Sequence, residues 1–561
     1  MKQNTKAVIV FVIIGILVFG GVFLGLTLTK NIGKSTNQVS TENALERLEK
    51  LKSRIDISEG TPHKVPVELG TSLEETLPSI DTYPLSVNNT TSCYVEIFSS
   101  TEKSSDGNDG WLNEVAEQFN REGFEIDGER VSVAVRPIAS GLAADYISTG
   151  AYTPELFSPS NELWGEMIKA SGVNTTLEEK CLVPNVAGVL LSKKRYDELL
   201  SKYGAINMKT ITEATAGSEI AMGYTNPFAS STGMNFLIST LCTFDDANPL
   251  SDTAISGFEA FQSNVPFVAY TTLQMRESAE SGVLDGFIME YQTYINSPDL
   301  RTSYVFTPFG VRHDSPVYSM GTLSPVQEKI TEKFIEYCKT EESQKLAQKM
   351  GFSYPDSYVE EIKLPDGDTL LSAQKLWKEK KDSGRPIIAV FVADVSGSMS
   401  GEPINELKRS LLAGAEYINS DNSVGLVTYS TDVCVQLPIA KFDINQRSLF
   451  AGAVNDMDAE GSTATFDAIV VAIDLLHQAQ VDNPDAKMML FVLSDGETNV
   501  GCNLNDVKPI LEGLDVPVYT IGYNADISAL QRISAINEAA SINASSDDVV
   551  YQLKNLFNAQ M

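Results

Sequence analysis

An apolar run at residues 387–393 ends abruptly in Asp394-Val395-Ser396-Gly397-Ser398. Such a continuous run reads as a strand buried on both faces, as in parallel sheets covered by helices. Residues 402–418 then carry Leu407, Leu411, Leu412 and Ala415 at helical spacing. The Asp and the two Ser therefore sit on a loop at the carboxyl end of a strand, the edge where open α/β sheets bind ligands. One tight turn offers a carboxylate and two hydroxyls, the oxygen donors that hard divalent cations take. Asp, Ser and Gly are also ordinary turn residues, so the pentapeptide alone does not separate a turn from a site.

Two later segments tip the balance. Glu460-Gly461-Ser462-Thr463-Ala464-Thr465 opens a helix and offers a Thr hydroxyl, and the apolar run 488–493 ends in Ser494-Asp495-Gly496. Together they place two Asp, two Ser and a Thr on three loops of one sheet edge. This constellation resembles the von Willebrand factor type A domain with its metal-ion-dependent adhesion site, over residues 385–558. The resemblance implies a doubly wound, Rossmann-like sheet. It also implies that Ser396, Ser398 and Thr463 coordinate a metal directly or through water, with Asp394 and Asp495 holding its waters or joining the shell. The implied cofactor is Mg2+, or Mn2+ or Ca2+. Neutral hydroxyls leave such a cation much of its charge, ready for a carboxylate of a protein or peptide partner.

With 561 residues the chain holds two or more domains. Its formal net charge of −32 argues against nucleic acid and anionic membrane surfaces as partners. Near the N-terminus, Lys2 and Lys6 precede an uncharged stretch from Ala7 to Leu28. At ~22 residues this suffices for a membrane-spanning helix. With no clear small-x-small cleavage site it reads as an uncleaved signal anchor at 7–29, behind a cytoplasmic tail at 1–6. The expected location is the cell membrane, single-pass, with the bulk of the chain extracellular.

Residues 30–91 read as a stalk. Leu45, Leu48, Leu51 and Ile55 form an apolar stripe among charges, a short helix or brief coiled coil. Pro62, Pro66, Pro78 and Pro84 then suit an extended spacer. From Cys93 onward strands and helices alternate, a second α/β unit at 92–381. Gly223-Tyr224-Thr225-Asn226-Pro227, Ser230-Ser231-Thr232-Gly233, Gly286-Phe287-Ile288-Met289-Glu290-Tyr291 and Arg312-His313-Asp314-Ser315 resemble segments of type II extracellular solute-binding proteins. The first two look like that family's crossover segment. The resemblance implies two lobes closing on a small ligand, with Ser99, Ser100, Ser140, Ser160, Ser231, Thr232 and Tyr291 as candidate contacts. Hydroxyls and helix N-terminal amides can hold an oxyanion. Each position has a plainer role too: Ser231 and Thr232 as helix caps, Tyr291 as core.

Enzyme readings fail individually. Neither a Gly-x-Ser-x-Gly elbow nor a zinc-protease helix motif is present, and the three histidines lack ligand spacing. Six widely spaced cysteines fix no disulfide pairing. The expectation is a non-enzymatic, membrane-anchored binding protein that engages a protein partner through the metal site and a second ligand through the solute-binding-like domain. The alternative is a small-solute receptor, with an oxyanion as a candidate ligand, that docks through its C-terminal domain.

Overall fold

The structure is a computed structural model and describes residues 36–66, 77–265, 268–269, 275, 284–355, 357–382, 385–496, 498–523, 541–544 and 549–561. The C-terminal domain is built on a seven-stranded sheet among these residues. Its order is Ile57–Glu59, Val433–Lys441, Ser423–Tyr429, Ile387–Asp394, Lys487–Ser494, Val518–Tyr523 and Ser541–Ala544. Every pairing is parallel except that of Ser423–Tyr429 with Val433–Lys441. The central strand Ile387–Asp394 is buried at every position, as its unbroken apolar run predicts.

Alternate residues of that strand serve opposite faces. Phe391 stacks on Phe491 at 5.0 Å and meets Phe557 edge-on at 5.3 Å, in a core shared with Leu407 and Leu411. Val390 and Val392 pack on the other side with Ile469, Val470 and Ile473 of helix Thr465–Asp482. Helices on both faces make the sheet doubly wound.

Residues 36–66 do not form the expected stalk. Helix Thr36–Lys52 lies against helices Leu504–Leu514 and Thr465–Asp482. Ala44, Leu48 and Leu51 are buried there, with Leu45 and Ile55 packed alongside. The apolar stripe finds this groove in its own chain instead of a second coil. Thr41 Oγ1 donates to the Gly513 carbonyl at 3.1 Å and Lys52 pairs with Asp474 at 2.6 Å. Ile57–Glu59 then joins the sheet edge beside Val433–Val435, and Ser448 Oγ donates to the Val65 carbonyl at 2.6 Å. The later part of the expected spacer packs on the solute-binding-like unit: Tyr146 OH donates to the Pro78 carbonyl at 2.6 Å, and Val87 bridges Val135. The expected membrane anchor, residues 7–29, lies outside the described residues. Among those described, no helix is long and apolar enough to cross a membrane.

Between these two parts of the C-terminal domain runs the solute-binding-like unit, with two sheets. One is ordered Glu125–Ile126, Glu129–Pro137, Cys93–Ser99, Leu156–Ser158, Val317–Met320 and Thr175–Glu179; the other Tyr304–Arg312, Val186–Ser192, Gly286–Glu290, Met222–Thr225 and Val268–Ala269. The chain passes from the first sheet to the second between Glu179 and Val186 and returns between Arg312 and Val317. The two crossings touch: Leu182 N–H donates to the Asp314 carbonyl at 3.0 Å and His313 N–H to the Asn185 carbonyl at 3.0 Å. Residues 223–235, expected at the crossover, instead form a strand, a loop and a helix start inside the second lobe. All six cysteines are free thiols.

The domains share a packed boundary. Helix Val549–Gln560 belongs to the C-terminal domain, yet its Tyr551 is buried in the core of the lobes. Lys554 pairs with Asp145 at 3.1 Å, Lys378 donates to the Phe557 carbonyl at 3.1 Å, and Gln560 donates to the Val268 carbonyl at 3.0 Å.

Candidate functional site

At the carboxyl edge of the C-terminal sheet, Asp394 is fully buried and ends the central strand. Its Oδ1 accepts the Ser396 amide at 2.8 Å. Its Oδ2 accepts the Ser494 hydroxyl at 2.6 Å and the Tyr429 hydroxyl at 3.2 Å. Burial, followed by the Asp394 charge, pushes the Tyr429 phenol well above its usual range, so it remains a donor. Asp394 is thereby fixed behind the loop it introduces.

In front of it the oxygens converge. Ser396 Oγ lies 3.1 Å from Ser398 Oγ, and Ser398 Oγ donates to Asp495 Oδ1 at 2.9 Å. Ser398 is exposed and Asp495 half-buried, so the cluster forms an open rim. Burial raises the Asp495 pKa and the Asp394 charge adds to this, while the Ser398 hydrogen bond opposes them.

The third loop is held to the first by its backbone. Gly397 N–H donates to the Gly461 carbonyl at 3.0 Å, and Glu460 N–H to the Val395 carbonyl at 2.8 Å. Thr463 is buried beside them, its amide bonded to Asn499 Oδ1 at 2.9 Å. The structure thus brings together Asp394, Ser396, Ser398 and Asp495 by direct bonds, and positions Thr463 through its loop. Tyr429, Ser494 and Asn499, which hold these groups, were not singled out from sequence.

The donor set fits a small divalent cation. Around Mg2+ at about 2.0–2.1 Å, neighbouring octahedral oxygens lie about 3 Å apart, which matches the 3.1 and 2.9 Å separations here. These are also hydrogen-bond lengths, so the hydroxyl protons hold the same cluster together without an ion. No group of three or more His, Cys, Asp or Glu among the described residues is placed to hold a metal. A hydroxyl-led set such as this one is a different kind of site.

The solute-binding-like candidates fall into separate environments. Ser99 and Ser100 are buried at the end of strand Cys93–Ser99, near Ser158 and Ser160. Ser100 donates to Glu102 Oε1 at 2.6 Å, and Ser160 bonds the same carboxylate. Ser140 is buried at the start of helix Ser140–Thr149. From the second lobe, Ser231 Oγ accepts the Trp164 indole N–H at 2.9 Å and Thr232 donates to Glu290 at 3.4 Å. The Ser230 hydroxyl, not theirs, caps helix Ser231–Phe244. Tyr291 packs against Tyr354 at 4.7 Å and Phe306 at 5.3 Å. Sequence reasoning missed Glu102, Lys103, Trp164 and the buried Glu290–His313 pair at 2.8 Å. The only signal for the first two was a charged pair directly after Ser99-Ser100-Thr101.

Comparison with known proteins agrees with this division. Residues 389–559 match the family model of the von Willebrand factor type A domain, and residues 104–353 that of the bacterial extracellular solute-binding protein. Inter-alpha-trypsin inhibitor heavy chain H3 of Bos taurus is 28% identical over 160 residues, 26% of this chain and 18% of its own length. Heavy chain H4 of Homo sapiens is 26% identical over 155 residues, 26% of this chain and 16% of its own. The match therefore spans under a fifth of either relative. Among solved structures, the sulfate-binding protein SubI from Mycobacterium tuberculosis is 14% identical with a TM-score of 0.34, covering 47% of this chain and 88% of its own. A von Willebrand factor type A protein from Catenulispora acidiphila is 16% identical with a TM-score of 0.27, covering 31% and 42%. The chain thus carries a von Willebrand factor type A domain at residues 389–559 and a bacterial extracellular solute-binding domain at residues 104–353.

Proposed function

We propose that this is a membrane-anchored, outward-facing binding protein whose C-terminal rim takes a carboxylate of a protein or peptide partner through a divalent cation. Mg2+ is the first choice, with Mn2+ or Ca2+ as substitutes. The observation that carries the reading is the cluster of Ser396, Ser398 and Asp495 oxygens, open to solvent at Ser398, in front of a buried, fully bonded Asp394. Ser396, Ser398 and Asp495 would hold the ion, with Thr463 completing the set and Asp394 orienting it. A cation held largely by neutral hydroxyls keeps the charge needed to attract a carboxylate. Anchoring rests on the uncharged stretch at 7–29 and its flanking lysines.

The test is capture from host surface extract by soluble residues 31–561, with Mg2+, with chelator, and with Mg2+ plus excess acetate. Retention of a partner in the first lane only supports the reading. Equal retention in all three lanes would remove the metal rim as the working surface.

A further inference from the structure

Three of the hydroxyls that an oxyanion could use in the solute-binding domain, those of Ser100, Ser160 and Thr232, are already bonded to carboxylates of the chain itself. After strand Cys93–Ser99, the short turn Thr101–Ser104 brings Glu102 and Lys103 back over the strand ends. Glu102 accepts the Ser100 and Ser160 hydroxyls, one from each of two neighbouring strand ends. A carboxylate presents two oxygens and one negative charge, the same chemistry a free oxyanion would offer to such hydroxyls.

Lys103 is as enclosed as a lysine can be, at 0% exposure. Its Nζ donates to the Ser158 carbonyl at 2.9 Å, to the Pro159 carbonyl at 3.4 Å and to Ser100 Oγ, and lies 3.7 Å from Glu102. A buried ammonium requires this density of oxygen partners. Burial pushes the Lys103 pKa down and the Glu102 and Glu290 charges oppose it; Glu290, from the opposite lobe, is itself bonded to His313 at 2.8 Å and Asn185 at 2.6 Å. Burial pushes Glu102 up, but the Lys103 charge and the hydroxyls outweigh it and hold the carboxyl below its usual range. An incoming oxyanion would therefore meet two carboxylates, Glu102 and Glu290, and would have to displace one of them.

The lobes are also closed by their own bonds. Trp164 and Asn161 of the first lobe reach Ser231 of the second at 2.9 and 3.3 Å. Gln292 of the second lobe reaches Asp109 and the Asn108 carbonyl of the first at 2.8 and 3.0 Å. Closure normally requires ligand contacts that favour the closed state. These bonds hold the lobes together without the Glu102–Lys103 pair, whose own hydrogen bonds go to Ser100, Ser158, Pro159 and Ser160 of the first lobe.

We propose that the Glu102–Lys103 pair occupies the place in the first lobe where a free oxyanion would bind, and that this domain takes no free oxyanion. Cutting Glu102 back converts its place into a site for a small free carboxylate.

Calorimetric titration of the full chain in detergent with sulfate, phosphate, molybdate and acetate should give no saturable heat at millimolar concentrations. In Glu102→Ala, melting temperature should fall, and acetate should restore most of the loss where chloride at equal ionic strength does not. Saturable oxyanion binding by the wild type that Ser100→Ala removes would overturn the proposal. So would a folded Glu102→Ala protein on which acetate acts no better than chloride. Should Glu102→Ala not fold, the wild-type titration still decides.

Discussion

Replacing Asp394 with Ala is expected to weaken Mg2+ binding by about 10–100-fold, the usual cost of losing a group that orients metal ligands. Capture of a metal-dependent partner should vanish with it. Asp394 holds the Ser396 amide with one oxygen and two hydroxyls with the other, so its loss frees the loop that carries Ser396 and Ser398. It also removes the acceptor of the buried Tyr429 hydroxyl, at about 1–3 kcal/mol for an unpaired group, while the Ser494 hydroxyl keeps the Gly496 carbonyl at 3.3 Å. Lower stability alone could therefore mimic a binding defect. Asp495→Asn separates the two effects, because Asp495 sits half-buried on the rim and bonds Ser398. It should lose metal affinity with little change in melting temperature. Calorimetry of both variants checks this, and wild-type Mg2+ affinity in both would sink the assignment.

The second large effect concerns residues once expected to be a passive stalk. Leu48 is 1% exposed, in a core with Ile469, Val470 and Leu511. Leu48→Ala should cost about 2–5 kcal/mol, the range for leucines truncated in rigid cores. For a domain of this size each kcal/mol lowers the melting temperature by roughly 2–4 °C. The loss should appear in the unfolding of the C-terminal domain, since that is where the helix packs. A solvated stalk predicts a change within about ±0.5 kcal/mol, as for ordinary surface positions. Thermal unfolding of the full chain distinguishes the two. Truncations that start at residue 77 or 92 should lose the same contacts, together with the edge strand Ile57–Glu59.

These two regions also mark how far the sequence could be read. The apolar runs ending at Asp394 and Ser494 declared a buried parallel sheet and the edge where its loops gather. Four residues of the rim follow from those turns once the loop at 460–465 completes the constellation. Tyr429 and Ser494 do not, because each is one polar group on a neighbouring strand, and only the register places it against Asp394. The stripe through Leu48 announced an amphipathic helix, but periodicity tells which face is apolar and not what covers it. Lys103 carries no pattern that marks it as interior, since lysines are buried only where paired, and here it is paired and bonded inside the lobe. The position of residues 223–235 was misread because strand, loop and helix motifs recur in both lobes, and only the pairing of Gly286 with Met222 assigns them to the second.

The most direct test of the metal rim is anomalous diffraction from crystals of the soluble chain soaked in Mn2+. The account predicts one strong peak in contact with Ser396 Oγ and Ser398 Oγ, at roughly 2.0–2.3 Å from each. It should be absent from Asp394→Ala crystals grown in the same way. Anomalous density elsewhere on the chain, with the Ser396–Ser398–Asp495 cluster still closed on its own hydrogen bonds, would contradict it.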